Sequence, residues 1–185
     1  MIGLTILGVI VILLAVFLIS VYNSLVQLRQ RVQNAWAQVD VQLKRRYDLI
    51  PNLVGAVKGY AQHEKATLEG VTQARNMAMN AGNIQEQMQA ENMLSGALRS
   101  LFAVAEAYPE LKANTNFMQL QAELTDTESK IAFSRQFYND TVQKFNTKIE
   151  LFPTNLVAGM LGFAMVDYFN LQGEPDARQA VKVEF

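Results

Sequence analysis

Few residues of this chain have types and spacings suited to chemistry, and each lacks a partner. His63-Glu64 begins like the H-E-x-x-H zinc signature, in which two histidines one helical turn apart hold the metal and the glutamate activates water. The second histidine's place is taken by Thr67, and the chain has one histidine and no cysteine. Neither a conventional zinc centre nor thiolate chemistry is expected. Glu123, Asp126 and Glu128 have the oxygen ligands a hard cation wants, but their spacing reads first as the solvated face of a long helix. There is no G-x-x-x-x-G-K-[ST] phosphate loop, no G-x-G-x-x-G after a strand, and no serine or cysteine beside a base in motif context. Gly55 and Gly59 read as close helix packing, and Met77, Met79, Met88, Met93 and Met118 as core fillers. Lys44-Arg45-Arg46 is too short for nucleic-acid binding in a chain of net charge −1. The expectation is a non-enzyme with no cofactor, no small-molecule substrate and no nucleic-acid partner.

What the chain does have is an apolar run. From Ile2 to Val21 only Thr5 and Ser20 carry side-chain hydrogen-bonding groups. Twenty helical residues rise about 30 Å, the hydrocarbon thickness of a bilayer. The run is expected to be a single-pass anchor, residues 1–22, with Ile2, Leu4, Ile6, Leu7, Ile10, Leu13, Leu14, Phe17 and Leu18 in lipid. No Lys or Arg precedes it, and Ile19-Ser20-Val21-Tyr22-Asn23 offers no small-residue cleavage pattern, so an anchor is expected rather than a signal peptide. Arg29, Arg31, Lys44, Arg45 and Arg46 follow the run, a basic membrane-proximal set. The positive-inside rule then puts the body in the cytoplasm, with the periplasmic or extracellular side as the alternative. Residues 1–62 carry a net +4 and residues 63–185 a net −5, so the basic end is the anchored end. That suits anionic headgroups, and equally ordinary solvated helix faces.

Beyond the anchor, apolar residues recur at three and four. Leu25, Leu28, Val32, Ala35/Trp36, Val39, Leu43, Tyr47 and Ile50 form one stripe on a helix that continues out of the membrane. Pro51 is expected to kink this helix rather than stop it, since Leu53, Val54 and Val57 resume the pattern. A second helix is expected over 64–79 and a third over 84–105, with a turn at Asn80-Ala81-Gly82-Asn83 and a stop before Tyr108-Pro109. Asn114-Thr115-Asn116 can cap the longest pattern, from Phe117 to Phe152. The fold class is all-α: an N-terminal transmembrane helix continuous with an elongated antiparallel bundle, residues 23–153.

Residues 154–185 form a separate expected segment. Pro153 ends the long helix and Thr154-Asn155 can cap another, which is apolar nearly all round from Leu156 to Val166. Eleven residues cannot span a bilayer, so this segment is buried, laid in the interface or covered by a neighbouring subunit. Past Gly173-Glu174-Pro175, Val181, Val183 and Phe185 alternate with charges as in a strand, which pairs with something or frays. Leu156, Met160, Leu161, Phe163, Val181, Val183 and Phe185 are the candidate self-association residues.

From Tyr22 the sequence Y-N-S-L-V-Q-L-R-Q-R-V-Q-N-A-W-A-Q-V-D-V-Q-L-K-R-R-Y-D-L-I-P-N-L-V closely resembles the LemA family. So do V-A-E-A-Y-P-E-L-K-A-N, F-M-Q-L-Q-A-E-L-T-D-T-E-S-K-I-A, Y-N-D-T-V-Q-K-F-N-T-K-I-E-L-F-P and the terminal V-K-V-E-F. The clearest departure is Ala180-Val181, where a proline often precedes the last stretch. The resemblance implies a bacterial protein anchored by its N-terminus in the inner membrane, with a helical soluble body and no catalytic residues to carry over. It also suggests a membrane zinc protease of the heat-shock type as a partner, and envelope stress or membrane quality control as the setting. The function expected is a self-associating scaffold on the lipid bilayer, with an adaptor or regulator of a membrane protease and a membrane-remodelling assembly as alternatives.

Overall fold

A computed structural model describes residues 2–170. Six helices account for its regular structure: α1 (Ile2–Lys58), α2 (Lys65–Met79), α3 (Ile84–Glu106), α4 (Pro109–Lys112), α5 (Thr115–Glu150) and α6 (Asn155–Ala158). The described residues fall into two compact units. The anchor unit comprises residues 2–40 and Phe133–Tyr168; the second unit comprises Val41–Ala132 and residues 169–170.

In the anchor unit, Val21, Leu25, Val32, Ala35 and Val39 of α1 are buried, as are Tyr138, Val142 and Phe145 of α5. Both sets follow the 3–4 spacing, so each helix presents one apolar stripe to the core. Trp36 meets Tyr138 edge-on with centroids 5.3 Å apart. After α6 the chain turns at Gly162, whose φ of 75° lies in the left-handed region that glycine adopts without a Cβ clash. The Phe163 amide donates back to the Ala158 carbonyl at 3.0 Å, the six-to-one bond that closes a Schellman-type helix end.

The second unit continues the same stripe along α1, where Leu43, Tyr47, Ile50, Leu53 and Val57 are buried. Leu68, Val71, Ala74 and Ala78 of α2 and Ala90, Leu94, Leu98 and Leu101 of α3 complete its core with Leu111, Phe117 and Leu124. The α2–α3 turn is a reciprocal cap: Asn83 Oδ1 accepts from the Glu86 amide and Glu86 Oε2 accepts from the Gly82 amide, both at 2.8 Å. Asn114 Oδ1 accepts from the Phe117 amide at 3.1 Å at the start of α5.

Helix α1 runs through Pro51 without ending. A proline cannot donate to the carbonyl four residues earlier, which here is Tyr47. That carbonyl instead accepts from Arg75 Nε of α2 at 2.7 Å, so the orphaned acceptor is satisfied from outside the helix.

Two expectations need correction. The apolar stretch Leu156–Val166 is helical only as far as Ala158 and then follows turns and irregular backbone. Thr154 makes no side-chain cap; its φ of −59° and ψ of −38° are already helical, and the residue is buried. The terminal strand expected around Val181, Val183 and Phe185 lies outside the described residues.

Candidate functional site

From Ile2 to Val16 the apolar run is exposed along its whole length. Ile2, Leu4, Ile6, Leu7, Ile10, Leu13 and Leu14 are exposed, and Phe17 and Leu18 half-buried. Within α1 this is the one helix long and apolar enough to cross a membrane among the described residues. Burial begins at Val21 and Leu25, so the run passes straight into the core of the anchor unit without a linker.

At that junction an aromatic cluster gathers around Phe163. Its ring lies 5.9 Å from Tyr22 and 6.4 Å from Phe145, and the Arg29 guanidinium sits 5.1 Å from its centroid. The returning chain is pinned to α5 by Asn146, whose Nδ2 donates to the Val166 carbonyl and whose Oδ1 accepts from the Val166 amide, both at 2.9 Å. The Tyr138 hydroxyl donates to the Asp167 carbonyl at 3.0 Å. Burial, reinforced by the Asp167 charge, pushes the Tyr138 hydroxyl up to about 12. A raised folded value means that the neutral phenol's stabilisation is complete below the unfolded value of about 10 and is lost as pH climbs through the folded one. Circular dichroism during alkaline titration is expected to show the anchor unit weakening between about pH 10 and 12. Tyr138→Phe should lack that component; an identical titration for the two proteins would contradict it.

The second unit holds a buried polar network. Arg46, only 1% exposed, donates from Nη1 to Glu91 Oε2 at 2.9 Å and from Nη2 to Ser95 Oγ at 3.0 Å. Its Nε lies 3.0 Å from Glu128 Oε1, close enough for an ion pair but too far off the N–H direction for a hydrogen bond. The Tyr47 hydroxyl donates to Glu91 Oε1. Gln87 Nε2 lies 2.8 Å from the Tyr47 hydroxyl, 3.0 Å from Glu91 Oε1 and 3.2 Å from the Ala78 carbonyl. Burial and the Glu91 charge raise the Tyr47 hydroxyl well above its ordinary value. Burial also raises the Glu128 carboxyl, an effect that Arg46 opposes and Glu91 adds to. One arginine facing two carboxylates through three helices ties α1, α3 and α5 together.

This network corrects two sequence expectations. Arg46 is not part of a surface basic set, because its side chain is enclosed. Glu128 is not simply on a solvated face, because it closes the arginine's third side. Glu91 was legible as an oddity, a carboxylate at the core position of the stripe Met88, Glu91, Leu94, Leu98. The other expected basic residues divide. Arg29 rests on Phe163, Arg31 and Lys44 are exposed, and Arg45 lies 3.8 Å from Asp126 with both half-exposed. Hydrogen bonding from Lys130 holds the Asp126 carboxyl below the usual carboxylate range.

Beside Arg46 a cleft of about 420 Å³ is lined by Ser95, Arg99, Phe102, Gln121, Thr125 and Glu128. A larger groove of about 840 Å³ runs between α1 and α2, from Val54 and Lys58 to Met77 and Asn80. His63 is exposed, and among the described residues no group of three or more His, Cys, Asp or Glu is arranged to hold a metal. Of the expected self-association residues, Leu156 and Met160 are exposed, Leu161 is half-buried and Phe163 is enclosed in its own unit. Phe163 is therefore not free for a partner. Val181, Val183 and Phe185 lie outside the described residues.

Comparison with known proteins agrees with an all-helical chain of this kind. The chain is 30% identical over 152 residues to Protein LemA of Metamycoplasma hominis, covering 80% of this chain and 68% of that protein. It is 24% identical over 175 residues to Magnetosome protein MamQ of Magnetospirillum gryphiswaldense, covering 80% of this chain and 64% of the relative. Magnetosome protein MamQ 2 of Paramagnetospirillum magneticum is similar at 24% over 174 residues, with the same coverage. The chain thus spans less than two thirds of the length of either magnetosome protein. Residues 35–185 match the sequence model of the LemA family, and with that match over most of its length the chain belongs to the LemA family.

Proposed function

We propose that this protein is a non-enzymatic, membrane-anchored helical scaffold that self-associates at the bacterial inner membrane. The observation that carries the proposal is the passage of α1, without a break, from an exposed apolar run into the buried core of the anchor unit. A flexible tether would leave the body free to tumble. An anchor whose helix also supplies the core fixes how the anchor unit meets the bilayer, which is what ordered assembly on a surface needs. The basic residues after the run support, by the positive-inside rule, a body on the cytoplasmic side.

Self-association is supported by apolar surface on α5. Phe133 and Phe137, one helical turn apart, are 76% and 47% exposed. Aromatic surface of this kind is enriched at interfaces between subunits. The test is the mass of the detergent-solubilised full chain, before and after the double change Phe133→Ser and Phe137→Ser. The expected result is a multiple of the chain mass that falls towards the monomer. A monomer before and after the change would sink the self-association reading.

A further inference from the structure

We infer that residues 151–160 form a second membrane contact, an apolar cap on the anchor unit that rests in the interface of the bilayer its anchor crosses. The inference builds on the membrane-anchored reading above and assigns lipid, not another subunit, to this patch. It starts from the register of two antiparallel helices. Trp36 of α1 pairs with Tyr138 of α5. Seven residues back along α1 and seven on along α5 lie Arg29 and Phe145, which both contact the Phe163 ring. A further seven residues lead to Tyr22 and Phe152.

Helix α5 ends at Glu150, so Phe152 comes just past its end, close to the level of Tyr22 where the apolar run ends. The chain beyond it forms the α6 turn before Phe163 comes back against Tyr22 at 5.9 Å. Residues 151–160 are thus held at the anchor's exit.

The chemistry of this cap suits lipid. No charged residue occurs from Leu151 to Val166. Leu151 is 54% exposed, Phe152 77%, Leu156 64% and Met160 87%, while Phe163 and Ala158 hold the segment from inside. Basic residues stand just outside it: Arg29 and Arg31 on α1, and Lys148 on α5 within a turn of the Arg29 level. Apolar side chains at the boundary, with Tyr at the headgroup level and basic groups beyond, are the layering of an interfacial segment. The segment returns to the anchor's exit through Phe163 against Tyr22, which brings it to the bilayer that receives Ile2–Val21. A short apolar turn that would be a liability in water is covered without a protein partner.

The test uses the full chain inserted in vesicles of phosphatidylcholine and phosphatidylglycerol, with bromine on the upper acyl positions as a contact quencher. Trp36 is the sole tryptophan. In a Trp36→Phe background, single probes are placed by Phe152→Trp, Met160→Trp and Phe133→Trp. The last is an exposed position on α5, seventeen residues before the helix ends at Glu150 and so about 25 Å along it from the cap. Flotation first establishes insertion. The expected result is loss of emission in brominated vesicles for the probes at 152 and 160, with a blue-shifted maximum, and no loss at 133.

Protein that floats but shows no more quenching at 152 and 160 than at 133 overturns the membrane cap while leaving the anchor intact. Blue-shifted but unquenched emission that depends on protein concentration also overturns it, giving the patch to a second copy. Protein that fails to float overturns both this inference and the anchoring on which it rests.

Discussion

Replacing Glu91 with alanine is expected to lower the thermal midpoint of the detergent-solubilised chain by roughly 10 °C, the largest effect of any single core substitution here. The reason is arithmetic of charge and not of volume. Arg46 is 1% exposed and keeps two carboxylates about it. Without Glu91 its Nη1 has no acceptor, the Tyr47 hydroxyl loses its partner, and Gln87 loses one of its three contacts. Breaking a buried pair from one side costs on the order of 3–5 kcal/mol, because the remaining charge stays desolvated. Removing both members is a different matter. Arg46→Met combined with Glu91→Leu should recover most of the loss, since apolar replacement of a whole buried pair is often neutral. Melting of the single and double variants followed by far-ultraviolet circular dichroism separates these cases. A Glu91→Ala midpoint indistinguishable from the parent would show that the network does not hold α1, α3 and α5 together.

The second large effect falls on the anchor. Changing Ile12 and Leu13 together to arginine places two charges near the centre of Ile2–Val21. Each central arginine disfavours insertion by about 2.5–3.5 kcal/mol, and two lost apolar side chains add several tenths each, for a total of roughly 6–8 kcal/mol. That is enough to reverse partitioning. The variant is expected in the soluble or aggregated fraction after alkaline washing of membranes, while the parent stays in the pellet. The same amount of both proteins in the washed pellet would mean that something other than this helix holds the chain to the membrane.

Much of this architecture was legible because helices announce themselves through spacing. Of the expected stripe, Leu25, Val32, Ala35, Val39, Leu43, Tyr47 and Ile50 are buried, and Leu28 and Trp36 are half-buried. The caps at Asn83 and Asn114 stand where short polar residues precede apolar periodicity. The kink-not-stop reading of Pro51 was right about continuity, yet sequence could not supply the reason. Arg75, far along the chain, satisfies the carbonyl that the proline orphans. Long-range pairing was hidden for the same cause at Arg46. In sequence it is one of three adjacent cations, and only the approach of α3 and α5 decides that this one turns inward while Arg45 stays half-exposed. Residues 154–166 misled in the other direction. Apolar composition suggested a helix, but Gly159 and Gly162 favour turning, and the segment folds back to bury Phe163 beside Tyr22. Composition signals that a segment is apolar; only packing says which of its faces is left for a membrane.

If the proposed function holds, the apolar run remains attached and holds the folded body to a bilayer. The most direct test is the intact mass of the protein extracted from alkaline-washed membranes. The species in the pellet is expected to retain residues 1–22, with a mass consistent with the full 20.7 kDa chain. A processed species that begins beyond Tyr22, or full-length protein recovered only in the wash, would contradict it.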